Sequence, residues 1–348
     1  MAASVVGVDI GDVAVRAVEL SDATKANPTL VRYHEMPLPE GAVSRGEVLE
    51  PNTVGTALKR LWTAGNFKSK NVVLGMGNHR VLARDLTVPK MSLKRIRESL
   101  PFQVQEMLPV PVAEALLDFY PIAEGEGANG PEVHGLLIAA VKDAVAGNVQ
   151  AVQLAGLNPI EVDLIPFALS RVLSRGVQVD GAVVQIDVGA SSTSVLISVL
   201  GVPQFIRFIP TGSGDVTQAL SMRLEIDAEQ AEQLKREIGL TPAGVQAQNP
   251  AAANLIREVT GELLNSLRNT VNYFVNTHSM PIRQIVLTGG GTQLGGFGDA
   301  LAEMTRLPVI PATPFDTVQL GRGVSKEGLE HSRGDYMVAL GLALGSAS

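Results

Sequence analysis

Cysteine is absent from this sequence of 348 residues, which excludes a disulfide framework and any zinc site built on cysteine. The five histidines are scattered along the chain without the spacing of metal ligands. Long apolar runs are also absent, since none approaches the roughly 20 residues that a membrane-spanning helix needs. The N-terminus lacks the charged region of a secretory signal. We therefore expect a cytoplasmic protein that reaches a membrane only through a partner.

Positive charge is scarce as well. The chain has 28 lysines and arginines against 35 aspartates and glutamates, and this net charge of −7 argues against binding of nucleic acid. Apolar residues are abundant: hydrophobic residues make up 45% and charged residues 18%, a balance typical of globular chains. The length suggests about two domains with a large buried core.

The most informative stretch runs from Val183 to Ile197. Two apolar runs flank Asp187, Gly189 and four small residues at 190–193, three of which carry hydroxyls. This pattern predicts a buried strand, a tight turn and a returning strand. Glycine and small side chains let a ligand approach the backbone, and successive turn amides form an anion-binding concavity. An acid at the strand end can hold a metal ion that bridges phosphates.

The same order of residues occurs near the N-terminus, from Val5 to Leu20, with Asp9 and Gly11 in the equivalent positions. Far downstream, an apolar strand beginning at Ile285 leads into three consecutive glycines at 289–291. A single strand–glycine hairpin is most often structural. Two acid–glycine hairpins followed by a glycine loop form a much rarer combination, which indicates a shared phosphate site.

Hydrophobic periodicity predicts strands and helices between these stretches. Predicted strands cover 29–36, 72–75, 81–88, 115–121, 133–141, 158–164, 204–209, 284–288 and 309–310. Predicted helices cover 52–64, a segment after Ser92, 143–155, 167–175, a segment through Leu224, 227–238, 254–276, 298–304 and 335–344.

Caps and loops complete these predictions. Asn52 and Asp227 are expected to cap their helices, residues 124–131 to form a surface loop, and residues 241–250 a polar linker. The small-residue loop at 211–215 opens a helix, whose free N–H groups would offer a phosphate site. The chain thus consists of two similar halves, which predicts a two-lobed α/β protein with a ligand cleft between the lobes.

Several segments together carry a resemblance to a known family. They are residues 8–11 with 15–20, 155–157 with 162–163 and 167–169, 186–189 with 191–193, Ala231-Glu232 with Lys235, 287–291, Pro314-Phe315, and 338–344. They resemble the actin-like ATPase superfamily and, within it, the PilM family of type IV pilus assembly proteins, which is related to FtsA. The resemblance covers nearly the whole chain and implies a duplicated, two-lobed actin-like (ribonuclease H-like) α/β fold.

The resemblance also implies a division into domains. The first-lobe core would be residues 1–70, completed by 158–182 and 335–348, with a small FtsA-like α+β subdomain inserted at 71–157. The second-lobe core would be residues 183–213, completed by 277–334, with a helical insert at 214–276.

Carried over residue by residue, the resemblance implies ATP and magnesium in the cleft. The first hairpin would contact the phosphates through Asp9, Gly11, Asp12, Val13 and Arg16. The second lobe would contact them through Gly189, Ala190, Ser191, Ser192, Thr193 and Gly212. The adenosine would lie against Gly289, Gly290, Gly291 and Leu294, with Glu232 and Lys235 beside the ribose and base unless they are only a solvated ion pair. Asp9 and Asp187 would approach the magnesium ion through water.

One departure from the family concerns Asp12 and Val13, which stand where the family usually has serines. A carboxylate facing a phosphate would repel it by roughly 1 kcal/mol or more in a partly screened site. We expect either that Arg16 offsets this repulsion or that Asp12 turns away. The departure bears on the affinity for nucleotide and on the hydrolysis of ATP.

The resemblance implies an ATP-binding scaffold whose first lobe and inserted subdomain bind the short cytoplasmic N-terminal peptide of the inner-membrane protein PilN. Other pilus-assembly components would be further partners. Two alternatives share the fold, an FtsA-like cell-division scaffold and a small-molecule kinase. A kinase needs a general base near the transferred phosphate, and no aspartate in a second-substrate motif stands out.

Overall fold

Two sheets, one in each half of the chain, organise the fold in this computed structural model. The structure describes residues 4–23, 25, 27–175, 179–240, 249–313, 315, 318–331 and 335–345. The strands are β1 Val5–Ile10, β2 Ala14–Ser21, β3 Thr29–Pro37, β4 Val43–Ser44, β5 Glu47–Val48, β6 Asn71–Met76, β7 Val81–Pro89, β8 Ala115–Gly127, β9 Gly130–Val141, β10 Asn158–Leu164, β11 Ala182–Val188, β12 Thr193–Val199, β13 Val202–Ile209, β14 Ile282–Thr288, β15 Val309–Pro311 and β16 Gln319–Leu320.

Helices cover these sheets and fill the connections between strands. They are α1 Pro51–Ala64, α2 Leu93–Gln103, α3 Lys142–Leu154, α4 Ile165–Leu173, α5 Ser213–Leu224, α6 Ala228–Ile238, α7 Pro250–Thr277, α8 Phe297–Thr305, α9 Lys326–His331 and α10 Met337–Gly345. Within the described ranges, none of these helices is long and apolar enough to cross a membrane.

Strand order confirms the predicted duplication. The first sheet runs β10-β6-β1-β2-β3-β16 and the second β13-β12-β11-β14-β15. Apart from β16, the two orders are equivalent. Each sheet has an antiparallel hairpin at its centre, β1–β2 or β11–β12, and a parallel strand beside it, β6 or β14. Asp9 and Asp187 therefore occupy matching positions near the ends of β1 and β11.

The first sheet is covered on both faces. One core cluster joins β1 and β6 to α1 and α3, and another joins β2 and β6 to α4 and α10. Helix α10 is buried along its whole length, and a Cβ at Gly7 would lie 2.6 Å from the backbone nitrogen of Ala343. The first sheet therefore needs glycine at Gly7 for α10 to approach it this closely. The second sheet packs on a separate core that includes much of α7.

A three-stranded sheet, β7-β9-β8, forms the inserted subdomain together with α2. The side chains of Ile96, Leu100 and Phe119 are buried between them. The predicted surface loop at 124–131 is wrong, because β8 and β9 continue through it and pair as far as Gly127↔Gly130. Cross-strand pairing thus overrides the low strand propensity of this polar, glycine-rich segment.

Sheet membership also bears on the proposed domains. Strand β6 pairs with β1, and α3 packs on α1, so both lie with the first lobe. Strand β16, which we did not predict, pairs with β3 of the first sheet. These contacts favour a narrower insert of residues 77–141, and the division into domains remains a proposal.

Helix starts were predicted with mixed success. Asp227 caps α6 by accepting a hydrogen bond from the N–H of Gln230, as expected. The predicted cap at Asn52 is wrong: α1 begins at Pro51, and Glu50 occupies the cap position, where its side chain accepts from the hydroxyl of Thr53 and not from a helix N–H. Proline is tolerated in the first turn of a helix, because an N–H at that position would have no intrahelical partner. Most of the predicted linker, residues 241–248, lies outside the described residues, as does Pro314.

Candidate functional site

The first hairpin closes through the N–H of Gly11, which donates to the carbonyl of Ala14 at 3.0 Å. Asp9 and Arg16 face each other in the register of β1 and β2. Val13 lies at the tip, with 60% of its surface exposed. This loop therefore presents a carboxylate and a guanidinium at its base and Asp12 beside its tip.

The second hairpin closes in the same way, with the N–H of Gly189 donating to the carbonyl of Ser192 at 2.9 Å. The start of α5 packs directly on it. A Cβ at Gly212 would lie only 2.5 Å from the carbonyl oxygen of Gly189, so this position requires glycine. Gly212 thus lies directly against the second loop, and its predicted contact with the phosphates remains a prediction.

The glycine loop after β14 lies against the second hairpin. Gly289 has φ +89°, and a Cβ there would lie 2.7 Å from Oδ1 of Asp187. A Cβ at Gly291 would lie 2.9 Å from the carbonyl oxygen of Val188. A Cβ at Gly290 would lie 3.8 Å from Oδ1 of Asp335, so this loop also borders the residues that precede α10.

Several carboxyl groups lie around Arg16. It forms an ion pair with Glu35 at 3.1 Å, and its charge also acts on the three acids described next. Burial raises the pKa of Asp9 to about 6; Arg16 lowers this value, while Asp335 and Asp12 raise it. Burial also raises the pKa of Asp187 to about 7, and the negative charge of Asp9 adds to the effect. The pKa of Asp335 is raised by burial despite Arg16. Asp9, Asp187 and Asp335 therefore lie close enough to share one electrostatic environment.

Asp335 lies in this group of acids and is not among the site residues predicted from sequence. It was assigned only as the start of the last helix, which in fact begins at Met337. An acid before an apolar helix suggests only a cap or a first-turn residue. Its place beside Arg16 depends on how α10 packs against β1, which no local pattern shows.

Asp12 links the two hairpins. Its Oδ2 accepts a hydrogen bond from the hydroxyl of Ser191 on the second loop. The N–H of Arg45 donates to the same carboxylate at 3.2 Å, and that of Gly46 at 2.9 Å. Donors of the protein therefore hold the carboxylate of Asp12, and one of them, the hydroxyl of Ser191, belongs to the predicted phosphate loop. Asp12 does not turn away from that loop.

Several predicted phosphate donors are already engaged. The hydroxyl of Thr193 donates to the carbonyl of Thr211 at 2.8 Å. At the start of α5, the N–H groups of Ser213 and Gly214 donate to the carbonyls of Gly189 and Ala190. The N–H of Gly212 donates to Asp215 at 2.7 Å. The expectation that these amides are free at the helix start is therefore wrong, because they fasten α5 to the second loop.

Lys235 is buried rather than solvated, with 6% of its surface exposed. Its ammonium group contacts Glu232 at 2.6 Å and donates to Thr217 at 2.9 Å and to the carbonyl of Ser213 at 3.2 Å. Helix α6 is thereby fixed to the start of α5. Leu294 is also mostly buried, within the core of the second lobe. Any contact of these residues with a nucleotide remains a prediction.

A magnesium ion would fit the chemistry of Asp9 and Asp187. Burial raises both pKa values, and the negative charge of Asp9 adds to the effect at Asp187, so a divalent cation would compensate charge that is poorly solvated. Among the described residues, no group of three or more acidic, histidine or cysteine side chains is placed to hold a metal. Two carboxylates that act through water or together with phosphate oxygens are compatible with magnesium coordination.

A second candidate site is a cleft of about 680 Å³ between the inserted subdomain and the first lobe. Strand β8 lines one side and β10 the other. Each is at the edge of its sheet and pairs with a single strand, β8 with β9 and β10 with β6. Two sheet edges therefore border one cleft.

Apolar and charged side chains line this cleft. Tyr120 of β8 packs against Phe167 of α4 with ring centroids 4.8 Å apart, and both rings line the cleft. Leu116 lies on the same face of β8 and is 46% exposed. Arg97 and Asp118 form an ion pair of 2.5 Å at the rim, and Arg171 pairs with Asp163 across the opposite wall.

The family model described as type IV pilus assembly protein PilM matches residues 7–347 of this chain. The chain belongs to that family. It is similar to a chain in the solved PilM-PilN type IV pilus biogenesis complex, with 28% identity and a TM-score of 0.85 over 99% of this chain and 98% of the other. PilM-family membership thus confirms the resemblance carried by the sequence motifs.

More distant similarities agree on the fold. EutJ of Carboxydothermus hydrogenoformans has 15% identity and a TM-score of 0.56, covering 99% of this chain and 90% of EutJ. MreB5 of Spiroplasma citri bound to AMPPNP has 10% identity and a TM-score of 0.55, covering 97% and 94%. The cell division protein FtsA of Bacillus subtilis is 29% identical over 108 residues, which are 31% of this chain and only 24% of FtsA. The duplicated actin-like fold is therefore shown.

Proposed function

We propose that this protein is a nucleotide-binding scaffold of type IV pilus assembly that binds the cytoplasmic N-terminal peptide of PilN. The observation that carries the proposal is the similarity over nearly the whole chain to a chain of a PilM-PilN complex, combined with an open cleft bordered by two sheet edges. The protein would reach the inner membrane through this partner.

The nucleotide would lie where the three loops meet. Gly11, Gly189 and Gly289 would bring the backbone of the loops close to the phosphates, and Arg16 would supply a positive charge at the same place. Asp9 and Asp187 would hold magnesium, which neutralises phosphate charge when it is bound. The adenosine would extend toward Gly290 and Gly291.

The peptide would occupy the cleft between β8 and β10. An exposed strand edge offers unpaired N–H and C=O groups, to which an extended peptide adds as a further strand. Leu116 and Val162 offer exposed apolar surface for its side chains, one on each strand. A cleft of about 680 Å³ falls within the size range of ligand sites.

Peptide binding can be tested by calorimetry with a synthetic peptide of the PilN tail. Leu116→Asp and Val162→Asp would each place a charge in the apolar part of the cleft, and we expect affinity to fall at least about tenfold. Val275→Asp is the matched control, since Val275 is 51% exposed on α7 of the other lobe. Unchanged affinity in both cleft variants would contradict the proposed location.

Nucleotide binding requires its own measurement. Titration of the wild-type protein with ATP and magnesium should show binding, and the cleft variants Leu116→Asp and Val162→Asp should bind ATP as the wild type does. Failure of the wild type to bind ATP at millimolar concentration would remove the nucleotide from the proposal and leave the peptide scaffold standing.

A further inference from the structure

The carboxylate of Asp12 is bound by hydrogen-bond donors from both lobes, which together form a small anion site. One side of this site is the hydroxyl of Ser191 on the second loop, and the other is the pair of N–H groups of Arg45 and Gly46. Asp12 and Ser191 are 179 residues apart in sequence. The contact therefore joins one lobe to the other through a single side chain.

The two amide donors are placed by the fold. Arg45 and Gly46 form the two-residue turn between β4 and β5, with φ +51° and +73°. Positive φ at both central positions is typical of a type I′ hairpin turn. The side chain of Asn78 is fully buried. Its amide donates to the carbonyl of Gly46 at 3.0 Å and thereby stabilises the turn.

Arg45 makes a second contact between the two lobes. Its guanidinium donates to the carbonyl of Pro210, just before α5 in the second lobe, at 3.4 Å. The turn between β4 and β5 therefore contacts the second lobe directly and also supplies two of the three donors to Asp12. Hydroxyl and backbone N–H groups of this kind are the donors that bind phosphate oxygens in other sites.

We propose that Asp12 is an intramolecular anion that occupies these donors in the nucleotide-free protein and competes with the phosphates of the nucleotide. The inference rests on the proposed nucleotide site. A phosphate that enters between the loops must take the Ser191 hydroxyl from Asp12, and it then lies close to a second negative charge. Asp12 thereby sets the nucleotide affinity below the value that the loops alone would give.

The decisive variant is Asp12→Asn, which keeps the shape of the side chain and removes its charge. We expect it to bind ATP with magnesium about fivefold more tightly than the wild type, measured by calorimetry. Asp85→Asn is the matched control, because Asp85 is exposed on β7 and the change in charge is identical. Its affinity for ATP should equal that of the wild type.

A double-mutant cycle tests the link without nucleotide. Asp12→Ala and Ser191→Ala, alone and combined, should lower the unfolding temperature by amounts that do not add, because each removes the same contact. Additive losses would overturn the inference. Equal ATP binding by the wild type and Asp12→Asn would overturn it while leaving the nucleotide site intact, whereas absence of ATP binding in both would overturn the inference and the nucleotide site together.

Discussion

The two acid–glycine hairpins close through the same backbone hydrogen bond, but the charges around their acids differ. In each, the N–H of the glycine closes the turn onto a carbonyl three residues later, at 3.0 Å for Gly11 and 2.9 Å for Gly189. The acids differ in what faces them across the hairpin. Asp9 faces Arg16, whereas Asp187 faces Ser194.

The cross-strand partner accounts for the order of the two pKa values. Burial raises both, but Asp9 has the guanidinium of Arg16 beside it and its pKa reaches only about 6. Asp187 has no cation in register and also feels the charge of Asp9, so its pKa reaches about 7. The two hairpins thus share their closing hydrogen bond, while the residue opposite each acid gives the two lobes different charges.

The support behind the second loop can be broken at Gly212. Gly212→Val would place carbon atoms at the carbonyls of Gly189 and Ala190, so we expect a loss of about 3 kcal/mol or more in the free energy of unfolding. Chemical denaturation measures this loss. Gly261→Ala is the control, because nothing lies within 4 Å of its added Cβ and alanine favours the helix. Similar stabilities of the two variants would contradict this packing.

Removing the cation from the first hairpin should make it behave more like the second. Arg16→Gln removes the ion pair with Glu35 and leaves Asp9 and Asp335 without their positive neighbour, and we expect a loss of about 2 kcal/mol at neutral pH. Protonation of the carboxyl groups should restore most of this stability near pH 4. Urea unfolding at several pH values measures the effect, with Arg84→Gln on β7 as an exposed control. A loss that does not depend on pH would rule out the electrostatic explanation.

Asp187 should destabilise the nucleotide-free protein above neutral pH. Its folded pKa of about 7 exceeds the ordinary value of 3.8, so between these values the folded state binds the extra proton and stability falls as the pH rises. Asp187→Asn removes this titration. We expect the variant to match the wild type near pH 4 and to exceed it by about 2 kcal/mol at pH 8, after allowance for partial contact with water.

The same urea titrations check this expectation, with Asp85→Asn as the control for a change in charge alone. A stability difference between Asp187→Asn and the wild type that is equal at both pH values would show that Asp187 keeps an ordinary pKa in the folded protein.

The smallest expected effect compares the glycines of the two turns directly. A Cβ at Gly189 would lie 2.9 Å from the carbonyl oxygen of Ser192, whereas a Cβ at Gly11 would lie 3.3 Å from that of Ala14. We expect Gly189→Ala to cost about 1 kcal/mol more than Gly11→Ala in thermal or chemical unfolding. The reverse order would mean that the first turn is the less adaptable one.

The central strands, the hairpins and their duplication were predictable from sequence, because alternating or continuous apolar runs that end at glycine are local signals. Predictions failed where pairing over a distance decided the structure. The polar segment 124–131 is largely β-strand because β8 and β9 pair through it. Strand β16 is only two residues long and is defined by its pairing with the edge of β3.

By itself, the sequence determined which residues enter the two hairpins and the glycine loop, since each is specified by neighbours along the chain. Only the tertiary structure decided what those loops contact. Packing of α10 brings Asp335 beside Arg16, and the approach of the lobes places Ser191 on Asp12. The cleft between β8 and β10 likewise exists because the insert packs beside the first sheet. Such contacts depend on the relative positions of whole sheets, which no local pattern of residues encodes.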